Sequence, residues 1–252
     1  MHDNDDISVL EAELEASPLD ELENLEEVAE FPGPDPEEML VLLRSPQNQQ
    51  RMIAARAFCE LEEPRAIPDL ITLLSDACPL IRVSAAYGLG RNPAPSAVEP
   101  LIHQLHQDWN GYVRKGIVWA LGNCRDRRAL EPLLHALKTD ISAVRLWSAS
   151  ALVQMTHVGY EAIITAMPPL IEALRRDPVA AVRSNCAWTV GQLARELPSN
   201  VIYATAVDAL IEAFAEDEDL GVREDARLSV LKVGDARGLQ VIEEIERDGL
   251  LL

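Results

Sequence analysis

The chain has 252 residues, a net charge of −20 and only 4% aromatic residues. A chain this acidic repels phosphate backbones and anionic lipid, which excludes nucleic acids and membrane surfaces as expected partners. No apolar run approaches the roughly 18 residues of a membrane span, and residues 1–6 lack the basic start of a signal peptide. We therefore expect a cytoplasmic protein.

The acidic charge is concentrated at the N-terminus. Residues 1–33 carry twelve Asp or Glu and no Lys or Arg, whereas the rest of the chain has a net charge of −8. This composition favours a disordered solubilising tail. The alternative is a set of short acidic helices, because Ser8 and Glu11 form a capping-box pattern. A proline-rich stretch follows, so we divide the chain into an acidic segment, 1–34, and a helical repeat region, 35–252.

A helical hairpin is repeated along the rest of the chain, at spacings of 31 to 40 residues. Each copy contains an amphipathic first helix, an aspartate, an arginine and a second helix rich in small residues. One hairpin cannot bury its apolar face alone, so neighbours must stack. We predict an all-α fold, a right-handed α–α superhelix of about six hairpins. The repeat arginines are Arg82, Arg114, Arg145, Arg183 and Arg223, with Arg51 as a degenerate first copy.

Prolines and arginines in the repeat have predicted structural roles. Pro100, Pro132 and Pro169 are expected in the first turn of their helices, where the missing N–H has no partner to lose. An arginine that recurs in every copy is expected to pair with the aspartate of its own or the adjacent copy. For Arg145 we expect the partner to be Asp140.

The motif P-L-I-x-x-L, then Asp, then V-R-x-x-A-x-x-x-L-G covers about residues 65–235. It resembles the HEAT-like repeat of the phycobilisome lyase family. Within that family the chain is similar to the E/F-type bilin lyases, which attach or detach open-chain tetrapyrroles on phycobiliprotein cysteines. The acidic N-terminus and the run 110–116 also resemble the cyanobacterial HEAT-repeat protein that binds the iron–sulfur carrier IscA.

The resemblance implies a protein partner, either an iron–sulfur carrier or a phycobiliprotein. Our first hypothesis is a non-enzymatic adaptor without a cofactor, because the sequence contains no Ser–His–Asp arrangement, phosphate loop or His-Glu-x-x-His motif. The alternative is a bilin lyase. The resemblance implies that such a chain can work as one subunit of a two-chain enzyme, and its ligand is then a bilin chromophore.

Cysteines and histidines do not form a predicted metal site. The four cysteines occupy four different repeat positions, whereas the ligands of a cluster must converge. Cys186 takes a position that is alanine in other copies, so we expect it in the core. His103 and His135 share one repeat position, on the outward side of the first helix.

Aromatic residues recur five positions after the repeat arginine, a position that we expect on the inner, concave side. Exposed Trp and Tyr flanked by polar groups are enriched in binding surfaces. The alternative is that these rings fill the core between second helices. The predicted binding residues are Tyr87, Arg91, Lys115, Trp119, Asn123, Trp147, Gln154, Trp188 and Gln192.

Two longer connections, near residues 156–161 and 196–203, depart from the shorter repeat. Insertions in solenoids map to one edge and often join the binding site. The equally weighted alternative is a return to an ordinary, longer repeat unit.

Overall fold

The structure is a computed structural model that describes residues 33–247. These residues form 13 α-helices and no β-strand. The predicted acidic segment, 1–34, lies almost wholly outside the described residues. In chain order the helices are α1 (Pro36–Leu42), α2 (Asn48–Ala57), α3 (Ile67–Leu73), α4 (Pro79–Arg91), α5 (Pro95–Gln107), α6 (Gly111–Cys124), α7 (Leu130–Thr139), α8 (Ser142–Leu152), α9 (Tyr160–Arg176), α10 (Ala180–Ala194), α11 (Val201–Glu216), α12 (Leu220–Val233) and α13 (Ala236–Arg247).

Six helical hairpins follow one another, and α13 packs against the last of them. The odd-numbered helix of each hairpin is its first helix and the even-numbered helix its second. Successive second helices pack closely on one another, while successive first helices are in looser contact. The closer layer has the smaller radius, so the second helices line the inner side of the stack. The predicted α–α superhelix of about six hairpins is confirmed.

Small side chains allow this close approach of the second helices. The alanines three and four positions after Arg82, Ala85 and Ala86, are buried, as is Leu89 seven positions after it. A Cβ added to Gly122 would lie 2.8 Å from the Cβ of Ala151 on the next second helix. One continuous apolar core therefore runs through all the described hairpins.

The repeat arginines form a ladder along the edge where first helices turn into second helices. Arg82 donates from Nε and Nη2 to the Asp108 carboxylate at 2.7 and 3.0 Å, and from Nη1 to the carbonyl oxygen of Asp76 at 2.9 Å. Each guanidinium thus joins its own turn to the carboxylate of the next hairpin. The other rungs are Arg51–Asp76, Arg114–Asp140, Arg145–Asp177 and Arg183–Asp217.

The expected pairing of Arg145 with the carboxylate of Asp140 is wrong. Arg145 donates to the backbone carbonyl of Asp140, and its carboxylate partner is Asp177. The carboxylate of Asp140 is held instead by Arg114, because every rung points forward along the chain. In the last hairpin Arg223 donates to the carbonyl oxygen of Phe214.

The first helices start earlier than the sequence pattern predicted. Pro132 lies in the first turn of α7, as predicted. Pro100 lies inside α5 and Pro169 inside α9, so neither of these occupies a first turn. Each removes one backbone hydrogen bond from its helix. The residues added around the longer connections mostly extend the first helices: α9 has 17 residues and α11 has 16, against 10 in α7. This arrangement favours a longer repeat unit over a protruding edge loop.

Candidate functional site

The second helices line the inner side of the stack, and we call this surface the second-helix face. Tyr87 on α4 and Trp119 on α6 lie side by side on it. Their ring centroids are 5.4 Å apart and the planes are inclined by 45°. The Trp119 ring lies against Gly90, where an added Cβ would overlap it, and the Tyr87 ring lies within 3.3 Å of a Cβ built on Gly116. Both rings are half-buried, and burial raises the pKa of the Tyr87 phenol. The absence of a side chain at Gly90 and Gly116 thus allows these rings to pack against the neighbouring helices.

Lys115 and Trp147 make the next contact of the face, between α6 and α8. The Lys115 ammonium lies 5.0 Å from the centroid of the Trp147 ring. Such cation–π contacts contribute about 0.5–1 kcal/mol at exposed sites. The contact holds a positive charge and an apolar ring together at a half-buried position.

Trp188 is separate from the other rings. It is 37% exposed on α10, and no described aromatic ring lies in contact with it. The corresponding residue of α8 is Ser150, whose hydroxyl donates to Asn185 Oδ1 at 2.6 Å. The predicted stripe is therefore an aromatic pair, a cation–π pair and a single tryptophan, with a polar pair beside the last.

The polar residues of the predicted set mostly join neighbouring hairpins. Asn123 donates to the carbonyl oxygen of Gly90 at 3.0 Å, and Gln154 accepts from Arg125 Nε at 3.0 Å. Arg91 forms an ion pair at 3.0 Å with a glutamate of the preceding connection. Gln192 is half-buried on α10. Lys115 is consequently the cation of this set that has no carboxylate partner in the described structure.

The two most exposed aromatic rings of the described chain are ones that sequence reasoning missed. Trp109 is 77% exposed and Tyr112 is 75% exposed. Both lie between Asp108 and Arg114 along the ladder edge, Trp109 in the turn and Tyr112 in the first turn of α6. The signal was present in the sequence, because no other copy carries an aromatic residue directly after the repeat aspartate, where Trp109 lies.

Three of the four cysteines, Cys59, Cys124 and Cys186, lie in environments that favour the neutral thiol. Burial raises the pKa of Cys59 to about 11, and it also raises the pKa of Cys124 and of Cys186, which is in the core as predicted. A protonated thiol is a poor nucleophile and a poor metal ligand. Within residues 33–247, no three His, Cys, Asp or Glu side chains converge in a way that could hold a metal ion.

Family comparison agrees with this architecture. A family model for HEAT repeats matches residues 36–109, 98–191 and 167–249. The chain belongs to the HEAT-repeat family. Its HEAT hairpins in the described range include no helix long and apolar enough to cross a membrane. The comparison with curated proteins gave no significant match.

Solved structures of other repeat proteins share the HEAT-repeat fold of this chain. An engineered protein has a TM-score of 0.59 at 24% identity, covering 79% of this chain and 98% of its own. A computationally designed armadillo repeat protein for modular peptide recognition has a TM-score of 0.58 at 20% identity, covering 79% and 99%. The complex of CpcE and CpcF of phycocyanin lyase from Nostoc has a TM-score of 0.57 at 24% identity, covering 86% and 84%. At these identities the similarity shows the fold.

Proposed function

We propose that this HEAT-repeat protein is a non-enzymatic adaptor that binds a protein partner across its second-helix face. The observation that carries the proposal is the half-buried pair of Tyr87 and Trp119, with Lys115 and Trp147 in contact on the next helix. Rings that are held in place by the stack but still reach the surface lose little entropy on binding. Trp and Tyr are also the residues that dominate binding energy at protein interfaces.

The repeat architecture supports a protein as the ligand. Stacked hairpins present an extended face, and a designed armadillo protein of the same fold was made for peptide recognition. By the resemblance of the repeat motif, the partner is an iron–sulfur carrier or a phycobiliprotein in the cytoplasm. The charge of Lys115 on this face suits a carboxylate of such a partner.

The alternative function is that of a bilin lyase subunit. Its support is the fold shared with the phycocyanin lyase complex, together with an aromatic face that suits a planar ring. A tetrapyrrole also carries propionates, for which Arg91 and Lys115 were the expected partners. Arg91 is already engaged by Glu62, which leaves Lys115 as the available cation, and this favours the adaptor.

The adaptor is tested by the double substitution of Trp119→Ala and Trp188→Ala. We expect the double variant to bind a purified iron–sulfur carrier or phycobiliprotein at least about tenfold more weakly by calorimetry, because truncating a hot-spot ring costs about 2 kcal/mol or more. Val201→Ala, at an exposed apolar position of α11 outside both the second-helix face and the ladder edge, is the control and should bind as the wild type does. Equal affinity of the double variant and the wild type would place the binding site elsewhere.

Absorbance spectroscopy separates the adaptor from the lyase subunit. Mixing the purified chain with a free bilin should leave the bilin spectrum unchanged if the chain is an adaptor. A bilin spectrum that shifts and sharpens with the wild type, but not with the double variant, would support the lyase alternative.

A further inference from the structure

Four exposed apolar side chains lie along the ladder edge of the second, third and fourth hairpins: Leu80, Trp109, Tyr112 and Ile141. We refer to these four residues as the turn-edge patch. None of them belongs to the second-helix face, since all lie in or beside the turns between first and second helices. Exposed aromatic and aliphatic side chains that cluster on a surface mark interaction sites.

The repeat register brings the patch together. Trp109 and Ile141 each follow the repeat aspartate directly, and Leu80 and Tyr112 each lie two residues before the repeat arginine. The Ile141 side chain packs on Gly111, so closely that an added Cβ there would overlap it. Ile141 thus contacts the start of α6, between the two aromatic residues.

Two rungs of the ladder fix these turns. The Arg82 side chain is 8% exposed and its partner Asp108 is fully buried, and Arg114 holds Asp140 at 2.6 Å. These ion pairs therefore fix the backbone conformation of the patch in the free protein. A preorganised surface loses less entropy on binding than a mobile loop.

A pocket of about 320 Å³ opens beside the patch, between α5 and α7. Its apolar lining includes Leu105, Ala136 and Ile141, and its polar lining includes His106 and His135. The two imidazole centroids are 6.3 Å apart. The volume accommodates one large side chain, which would contact Leu105, Ala136 and Ile141. The rest of the lining is polar and includes the carboxylates of Asp108 and Asp140, which Arg82 and Arg114 neutralise.

Charge distribution determines which partner fits. Residues 95–152 carry a net charge of +2, whereas residues 33–94 carry −2 and residues 153–247 carry −7. At the ladder edge of this central region the carboxylates of Asp108 and Asp140 are neutralised by guanidinium groups. Lys138, near the end of α7, is exposed and forms no ion pair within the described structure.

The last hairpin provides the contrast within the same edge. Glu218 in its turn, Glu216 at the end of α11 and Glu224 in α12 are all exposed. Leu220 is also exposed beside this turn, so apolar surface alone does not distinguish the two stretches. Charge does, because an acidic partner is repelled from the last hairpin and attracted to the central ones.

We propose that the turn-edge patch is a second binding site, which takes an acidic peptide segment of a partner protein with an aromatic or aliphatic anchor. The anchor enters the pocket beside His106 and His135, and Trp109 and Tyr112 cover the adjoining backbone. Carboxylates that flank the anchor pair with Lys138 and accept hydrogen bonds from the imidazole N–H groups. The proposal is independent of the adaptor function, because it uses a different surface.

The test is a selection of random dodecapeptides, displayed on phage, against the full-length chain. We expect enriched peptides to carry Asp or Glu next to a large apolar residue. A synthetic, fluorophore-labelled copy of an enriched peptide should then bind the wild type at least about tenfold more tightly, by anisotropy, than the double variant Trp109→Ala and Tyr112→Ala. Lys138→Glu should also weaken binding, and more strongly at low salt.

Two matched controls keep the selection specific. The double variant Val201→Ala and Leu220→Ala removes exposed apolar surface elsewhere and should bind the peptide as the wild type does. Trp119→Ala with Trp188→Ala should also keep peptide binding, which separates this site from the second-helix face. Thermal unfolding should confirm that the turn-edge variant is folded, since both of its rings are exposed.

Three results would overturn the proposal. One is a selection that yields no peptides, or peptides that are basic. Another is equal peptide binding by the wild type and the turn-edge double variant. The third is light scattering that shows a dimer dissolved by the turn-edge substitutions without peptide binding, because the patch would then be an interface between copies of this chain.

Discussion

The second-helix face and the ladder edge both carry aromatic rings, but the rings differ in how they are packed and in how far they are exposed. On the face, Tyr87 and Trp119 contact each other and lie over glycines of the neighbouring helices, so they are half-buried. At the edge, Trp109 in a turn and Tyr112 at the start of α6 are about three-quarters exposed. The position within the repeat, and not the residue type, thus decides whether a ring also stabilises the stack.

Charged pairs show the same contrast. The pair of Arg82 and Asp108 is almost fully buried within the ladder. Arg44 pairs with Asp69 at a similar distance, 2.9 Å, but its side chain is 74% exposed. A desolvated pair is costly to break, whereas an exposed one contributes little.

The largest expected effect is the loss of a ladder rung. Arg82→Ala should lower the free energy of unfolding by about 3–5 kcal/mol, because it leaves the buried Asp108 carboxylate without a partner. Urea denaturation followed by circular dichroism measures this change. Arg44→Ala is the control and should leave the unfolding curve nearly unchanged. If both variants lost the same stability, burial would not be what distinguishes the two pairs.

The loss of unfolding free energy on side-chain truncation should increase with burial across three positions. Leu121→Ala, in the core, should cost about 2–5 kcal/mol of unfolding free energy. Trp119→Ala should cost less, since its ring is half-buried, and Trp109→Ala should change stability by no more than about 0.5 kcal/mol. Thermal melts of the three variants under one condition give the order. A large loss for Trp109→Ala would contradict the exposed position of that ring.

Acid should weaken the ladder selectively. Burial by itself raises the pKa of Asp108 and Asp217, but hydrogen bonds from Arg82 and Arg183 outweigh it and hold both values below the usual range. In the unfolded chain an aspartate carboxyl group has a pKa of about 3.9. The ladder therefore stabilises the fold fully above that pH, and this contribution is lost as the pH falls through the lower folded-state values.

The acid effect is measured by unfolding free energies between neutral and strongly acidic pH. We expect a plateau at and above pH ~5 and a decline below pH ~4. A variant with Arg82→Leu and Asp108→Leu removes one titrating rung and should show a shallower decline. An equally steep decline in that variant would mean that Asp108 does not contribute to the acid response.

The smallest expected effect is a difference in fluorescence between the individual tryptophans. In variants that retain a single tryptophan, with Phe at the other three positions, Trp109 should emit at longer wavelength and be quenched by acrylamide most strongly. Trp119 should be quenched least, because it is packed between Tyr87 and Gly90. Stern–Volmer constants report the order, and the reverse order would exchange the roles of the face and the edge.

The sequence by itself determined the repeat, its two-helix unit and the structural role of its arginines. These features depend on local periodicity and on residues that recur in every copy. Cys186 could be assigned to the core for the same reason, since the other copies carry alanine there. Trp109 could have been recognised as exposed, because turn positions in a solenoid face solvent.

Only the tertiary structure decided which partner each side chain has. The forward direction of the rungs, with Arg145 bound to Asp177 and not to the Asp140 carboxylate, depends on how one hairpin is displaced against the next. The same displacement places Trp119 over Gly90 and Lys115 over Trp147. A repeat sequence specifies the unit, but the offset between units results from packing of small residues across the core, and contacts between copies depend on that offset.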